Sequence, residues 1–177
     1  TAGDTVDLGT AANGAANTLQ FTNAELQSIT ATSLTIGAGG AGAITVSGDV
    51  TPGSNSGGNV ATVGLITGST ITATSAGIIE TNLALTAGGA VNFTDSATNG
   101  ALLAIDTSTG NITFIEANGF SVSTVAGVTG VDTDSGSVAL TATTGNLAVV
   151  NTAATNDIEA TTTIALTATA DNAGITI

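Results

Sequence analysis

The sequence predicts an all-β protein of the parallel β-solenoid class. Thr, Val and Ile are abundant, and their branched Cβ atoms favour extended strands. Short runs alternate Thr or Ser with Val, Ile, Leu or Ala, and Gly, Asn, Asp or Ser bounds most of them. Similar runs recur along all 177 residues, which also contain 24 Gly and a single Pro, Pro52. We therefore expect one domain over 1–177, made of stacked coils.

The alternating runs define the predicted strands in chain order. Each run is too short for a stable helix, and its alternation predicts a half-buried strand. They cover residues 33–36, 43–46, 69–74, 83–86, 90–93, 111–114, 120–124, 137–141, 146–149, 163–167 and 174–177.

Four segments share the pattern of a strand, a corner with Gly or Asn, and a second strand. They are LTIGAGGAGAITV, LTAGGAVNF, LTATTGNLAV and LTATADNAGITI, which begin at Leu34, Leu85, Leu140 and Leu166. Their separations are close to two, two and one steps of about 26 residues. This spacing predicts about seven coils of three strands each, stacked over roughly 33 Å.

The interior of such a solenoid is narrow, so inward positions are expected to hold Val, Ile, Leu, Ala and the four Phe residues. Only 2% of the chain is aromatic, which fits a narrow core. Two immunoglobulin-like sandwiches of about 88 residues each are the alternative fold. They need more aromatic residues and do not explain the repeated segments.

The composition excludes most catalytic and nucleic-acid-binding functions. The chain has no Lys, Arg, His, Cys, Met, Trp or Tyr. It therefore lacks the usual bases, the thiol nucleophile and the cations that hold phosphates. The net charge of −13 argues against nucleic acid and anionic membrane surfaces as partners. No apolar run has the length of a membrane span, and no signal peptide opens the sequence, so we expect a mature or excised segment.

The stretch TNAELQSIT, residues 22–30, interrupts the strand pattern. Asn23–Gln27 contains the best helix formers of the chain and predicts a helical corner insertion that bulges outward. Phe21, Leu26 and Ile29 are its predicted apolar anchors. A helical decoration that recognises a ligand is the functional alternative.

Several segments resemble the repeats of filamentous haemagglutinin-like exoproteins, which Gram-negative bacteria secrete by the two-partner route. They are TNAELQSITATSLTIG followed by GAITVSGDV, GIIETNLALTAGGAVNF, TGNITFIEANGFSVSTVAGVTGV and SGSVALTATTGNLAVVN. The resemblance spans nearly the whole chain. It implies a right-handed parallel β-helix in the shaft of a secreted, extracellular or surface-exposed fibre. The lack of Lys and Arg departs from typical members.

Acidic pairs are the candidate sites of the sequence. Asp132 and Asp134, in GVDTDSGS, could hold Ca²⁺ in a turn, although no EF-hand or related motif is complete; the simpler interpretation is a solvated turn. Asp157 and Glu159, in NDIEA, should face outward on one side of a strand and contribute solubility. We assign no catalytic, cofactor-binding or metal-binding residue.

Asparagines at predicted corners are expected to hydrogen-bond between coils. Asn59, Asn111 and Asn146 each precede an apolar strand, and side-chain amides can satisfy buried backbone groups there. Asn92 and Asn111 also begin N-x-[ST] motifs, which in a Thr-rich bacterial product are expected to be coincidental.

The sequence therefore predicts a structural protein and no enzyme: the shaft of an extracellular adhesin or biofilm-matrix fibre. Its expected partners are further copies end to end and a host-cell or glycan surface. A glycan- or ice-binding module is an alternative, supported by TITAT (70–74) and TTTIALTAT (161–169). A polysaccharide-degrading enzyme that uses two carboxylates is a second alternative.

Overall fold

The chain is all-β in the parts that the structure describes. The computed structural model describes residues 3–10, 14–54, 60–79, 82–95, 98–150 and 157–177. One short helix, α1 (Asn23–Gln27), occurs among these residues. The strands, in chain order, are β1 (Thr5–Leu8), β2 (Thr18–Phe21), β3 (Ser33–Ala38), β4 (Ile44–Val46), β5 (Thr62–Thr67), β6 (Ile71–Ala73), β7 (Asn82–Ala87), β8 (Val91–Phe93), β9 (Leu102–Thr107), β10 (Ile112–Glu116), β11 (Phe120–Val122), β12 (Thr124–Val125), β13 (Val128–Thr129), β14 (Val131–Thr133), β15 (Val138–Ala142), β16 (Leu147–Val149), β17 (Ile158–Ala160), β18 (Ile164–Ala168) and β19 (Ile175–Thr176).

Two parallel sheets hold nearly all of these strands. Sheet A has eight strands in the order β2–β1–β4–β6–β8–β10–β15–β18. Sheet B runs β3–β5–β7–β9–β11–β16–β19, with β14 and β17 pairing beside this path. From β3 to β10 the chain alternates strictly between the sheets, so each sheet gains one parallel strand per turn of the chain. Two isolated parallel bridges, Val50 to Ile78 and Ile79 to Asn99, lie outside these strands.

The core lies between the sheets because strand residues alternate between inward and outward positions. In β15, Val138, Leu140 and Ala142 are buried and the two residues between them are half-buried. Three phenylalanines stack inside: the ring centroids of Phe93 and Phe114 lie 5.5 Å apart, and those of Phe114 and Phe120 lie 5.6 Å apart. The prediction of an aliphatic core with internal Phe is confirmed for these three rings, whereas Phe21 is only partly buried.

The uniform step of about 26 residues is wrong. In sheet A, Ile71 pairs with Val91 and Val91 with Ile112, so these layers are shorter than the layers from Ile112 to Val138 and on to Ile164. The four leucines that set the predicted period are also not equivalent. Leu34 and Leu85 lie in sheet B, whereas Leu140 and Leu166 lie in sheet A and stack directly on each other.

All of the predicted strands occur, with ends that differ by one or two residues, but the prediction missed β1, β2, β5, β9, β13 and β14. The run 120–124 also divides, because β12 and β13 form an antiparallel hairpin that folds over sheet B. Val125 and Val128 of this hairpin pack on Ala84, Leu102 and Ala104. Outward positions of β7 and β9 are thus apolar because a hairpin covers them.

Helix α1 joins the terminal strands β2 and β3 at one end of the sheets. Thr22 and Glu25 form a reciprocal capping box, in which each side chain accepts from the other residue's backbone N–H. Leu26 is fully buried, and Phe21 and Ile29 pack partly buried against the core, so the predicted anchors are confirmed. The insertion is therefore helical, with Leu26 buried in the core and Ala24 and Glu25 exposed. No helix in the described ranges is long and apolar enough to cross a membrane.

Candidate functional site: an acidic column, a buried glutamate and an open edge

Three carboxylates from distant parts of the sequence form a column on sheet B. Asp132 of β14 pairs in register with Asp106 of β9 on one side and with Glu159 of β17 on the other. Neighbouring strands lie about 4.8 Å apart, so the three side chains follow one another along the outer surface. Asp106 and Glu159 are exposed, and Asp132 is partly buried.

Electrostatic repulsion within this acidic column is not offset by any Lys, Arg or His of the chain. Burial raises the pKa of Asp132, and the charges of Glu159, Asp134 and Asp106 raise it further, while a backbone hydrogen bond at Thr133 lowers it. Across the described residues, no group of three or more acidic side chains is arranged to hold a metal ion. Asp132 therefore binds a proton more tightly than an isolated aspartate does, and the column as a whole presents negative charge to the solvent.

The predicted acidic pairs are only partly correct. Asp132 lies in strand β14 and not in a turn, and Asp134 follows that strand. Glu159 is exposed on β17 as expected, whereas Asp157 is half-buried and precedes the strand, where its carbonyl accepts from the N–H of Val131 at 2.9 Å. The structure brings Asp132 to Glu159 and Asp106, which no local spacing in the sequence could indicate.

Glu116 is a buried carboxyl group that the sequence analysis missed. It ends β10, is 0% exposed, and accepts from the N–H of Gly100 at 3.2 Å through Oε1. Its Oε2 has no hydrogen-bond partner in the described ranges. Burial raises the pKa of Glu116 from 4.5 to about 7, against the lowering effect of the backbone N–H groups of Asn118 and Gly100.

The alternation of β10 could have identified this residue. Ile112, Phe114 and Glu116 occupy every second position of ITFIE, so all three point inward. The predicted strand ended at residue 114, and Glu116 was therefore never placed on a face.

Asparagine side chains do connect successive layers. Asn111 Oδ1 accepts from the N–H of Ser137 at 3.0 Å, and Asn146 Oδ1 accepts from that of Gly174 at 2.8 Å. The prediction is confirmed at these two residues, and Asn59 lies outside the described residues. Backbone groups at the corners are thus satisfied by amides of the preceding layer.

A column of polar residues follows the outer surface of sheet A. Thr45, Thr72, Asn92 and Thr113 are in register on β4, β6, β8 and β10, and the next positions are Ala139 and Ala165. The two Thr-rich segments TITAT and TTTIALTAT lie on β6 and β18, with three strands of sheet A between them. The threonine ladder is therefore interrupted at Asn92 and ends at Ala139.

The edge formed by β18 leaves inward-type residues uncovered. Ile164 and Leu166 are in register with Val138 and Leu140, which are 0% exposed, but Ile164 itself is 48% exposed. Ile175 of β19 is likewise 42% exposed. Among the described strands, none pairs with the outer side of β18 or β19, so this open edge (β18 and β19) combines free strand backbone with apolar side chains.

Comparison of the chain with protein-family models, curated proteins and solved structures gives no match.

Proposed function

We propose that this chain forms part of the shaft of a secreted, extracellular fibre, such as an adhesin or a matrix filament of a Gram-negative bacterium. In this proposal the two sheets, together with a third side that includes the bridges from Val50 to Ile78 and from Ile79 to Asn99, close into a right-handed β-solenoid of about seven coils. The mechanism is mechanical, because parallel strands hydrogen-bonded layer upon layer resist bending and extension. Seven spacings between the eight strands of sheet A give a length of about 34 Å.

The open edge is the observation that carries this proposal. Side chains on β18 repeat the inward pattern of β15, yet another layer must cover them before they become buried. A side chain that passes from half exposed to buried contributes on the order of 1 kcal/mol. A further parallel layer, from the same polypeptide or a second copy stacked end to end, supplies that cover and continues the rod.

Particle length measured by cryo-electron microscopy on native material tests the proposal. Rods of one fixed length are expected if the segment belongs to a single long polypeptide. Filaments of unlimited length, with an axial repeat near seven coils, are expected if the chain itself polymerises. Compact particles with no long axis would contradict the shaft function in either form.

Two substitutions on β18 test the part played by the open edge. Ile164→Asp places a charge at an inward position, whereas the matched variant Ala165→Asp adds the same charge at the neighbouring outward position. Sedimentation velocity at rising protein concentration should show elongated oligomers for the unmodified chain and for A165D, and their loss for I164D. Equal loss in both variants would mean that added charge, not edge covering, controls association.

Salt dependence gives an independent test of end-to-end stacking. Because every charged side chain is acidic, copies of the chain repel one another at long range. Raising the ionic strength from 10 mM to 150 mM shortens the Debye length from about 30 Å to about 8 Å and should promote association. Weaker association at higher salt would contradict apolar stacking at the edge.

A further inference from the structure

Strand β1 occupies an unusual place in sheet A. It precedes β2 and β4 in the chain but lies between them, paired in parallel with both. The four residues of β1 thus fill a gap, one strand wide, between β2 and β4, and both of these strands follow β1 in the chain. We call this gap the acceptor slot.

The walls of the acceptor slot are held by contacts that do not involve β1. On one side, β2 continues into α1, where Asn23 Oδ1 accepts from the N–H of Thr51 at 2.9 Å and Gln27 Nε2 donates to Thr51 Oγ1 at 2.8 Å. On the other side, β4 pairs along its full length with β6. These contacts tie β2, through α1, and β4 to the rest of the fold without using β1.

The slot recognises both the backbone and the side chains of its occupant. Val6 and Leu8 are 4% and 1% exposed, and the N–H of Val6 donates to Ala43 O at 2.9 Å. Thr5 Oγ1 lies 2.8 Å from Thr18 Oγ1, and Ser47 Oγ donates to Asp7 Oδ1 at 2.6 Å. The occupant must be an extended segment that alternates polar and apolar side chains.

Close backbone contacts mark both ends of the slot. A Cβ on Gly42 would collide with the carbonyl oxygen of Gly3, and a Cβ on Gly9 would collide with that of Gly48. Gly9 also has a φ of +82°, which side chains rarely adopt. Only a segment with glycine at its exit, as in GDTVDLG (3–9), passes between these walls without displacing them.

The connection from β1 to β2 contains more residues than its path within one chain requires. Residues 9–17 can extend to roughly 30 Å. Bridging from the end of β1 back to the start of β2 requires only one strand length, about 13 Å for four residues. The hydrogen bonds that hold this connection down include those from the N–H groups of Gly14 and Ala15 to Gln20 Oε1, at 2.8 and 2.9 Å.

We propose that the gap between β2 and β4 is a strand-acceptor site, and that it binds β1 of a second copy of this chain by strand exchange. Each copy makes the same hydrogen bonds and buries the same Val6 and Leu8 whether its slot is filled from within or from a partner. Exchange therefore joins two copies through sheet A with no loss of contacts at the slot. The site is independent of the open edge and of the shaft function.

Mixed single-cysteine variants test this exchange, because the chain has no Cys of its own. Thr5→Cys and Thr18→Cys chains are refolded together in equal amounts and then oxidised. A disulfide between the two variants forms efficiently, above the background of random encounters, when β1 of one copy lies beside β2 of the other. We expect this heterodimer to increase with protein concentration and to approach roughly half of the chains, the statistical share for random exchange.

Two controls make the result decisive. A mixture of Thr45→Cys and Thr72→Cys chains places cysteines at an in-register pair on β4 and β6. These strands lie inside sheet A and would pair between chains only if the whole fold were divided between two copies, so this mixture should give only background dimer. The double variant Thr5→Cys/Thr18→Cys, refolded at high dilution, should close a disulfide within one chain. Heterodimer no more abundant than in the Thr45/Thr72 mixture, or failure of the double variant to close, would overturn the proposal.

Loosening the connection offers a second measurement. Gln20→Ala removes the acceptor for Gly14 and Ala15 and should increase the yield of the Thr5–Thr18 heterodimer at a given protein concentration. An unchanged or lower yield would show that the connection does not limit exchange and would contradict this route. Microscopy tests the shaft proposal independently, because long rods or filaments are expected there whether or not β1 exchanges. Failure of one proposal therefore leaves the other standing.

Discussion

Replacing Glu116 by glutamine should make the stability of this protein less dependent on pH. The carboxyl is fully buried, accepts a hydrogen bond from the N–H of Gly100, and has its pKa raised to about 7 by burial. In the unfolded chain the same group titrates near 4.5. Well below pH 4.5 both states bind the proton and Glu116 has no pH-dependent effect.

The sign follows from proton linkage. As pH rises from 4.5 to 7, the unfolded state loses the proton first, so unfolding is increasingly favoured and the folded chain loses stability. Each pKa unit corresponds to about 1.4 kcal/mol, so Glu116 accounts for a loss of about 3 kcal/mol by pH 8. Gln keeps the shape of the side chain and cannot ionise.

The assay is urea unfolding followed by far-ultraviolet circular dichroism, since the chain has no Trp or Tyr for fluorescence. The quantity of interest is the free energy of unfolding of E116Q minus that of the unmodified chain, measured from pH 4 to pH 8. We expect this difference to rise by about 3 kcal/mol across that range. A difference that stays constant with pH would refute the buried, proton-binding role of Glu116.

Glu25→Gln is the control with the opposite sign. Hydrogen bonds from the backbone and side chain of Thr22 lower the pKa of Glu25. Its contribution to stability is present at neutral pH and is lost as the pH falls through its folded-state pKa. The unmodified chain should therefore exceed E25Q in stability at pH 7, and that advantage should shrink in acid.

Three further substitutions test the acidic column, the core and the slot. Asp132→Asn should stabilise the chain at pH 7 because repulsion from Glu159, Asp134 and Asp106 is relieved. This gain in stability should diminish in 0.5 M salt (about a 4 Å Debye length) and in acid. A gain that does not depend on salt would exclude repulsion as its cause. Phe114→Ala removes the central ring of the stacked phenylalanines and should cost about 3–5 kcal/mol in urea unfolding; a cost below about 1 kcal/mol would mean that the cavity collapses. Gly9→Ala should destabilise by more than about 1 kcal/mol through its positive φ and its contact with Gly48, whereas Gly39→Ala, which meets no neighbouring atom within 4 Å, should have little effect.

Much of the fold follows from local sequence patterns. Alternation of β-branched and small polar residues located the strands around residues 33–38, 82–87 and 138–142, because the period of a strand shows directly in the chain. The helix formers at Asn23–Gln27 and the anchor Leu26 were likewise visible as an interruption of that period. The parallel, all-β character was therefore determined by the sequence alone.

Register and strand order were decided only by the tertiary structure. Whether Leu85 stacks on Leu140 or on Leu65 depends on how many residues each corner absorbs, and corners tolerate length changes at little energetic cost. The placement of β1 between β2 and β4 has no local signal, because strands that follow it in the chain form its walls. Asp106, Asp132 and Glu159 become neighbours, and Glu116 becomes buried, for the same reason: lateral pairing and packing between layers join residues that no short-range pattern connects.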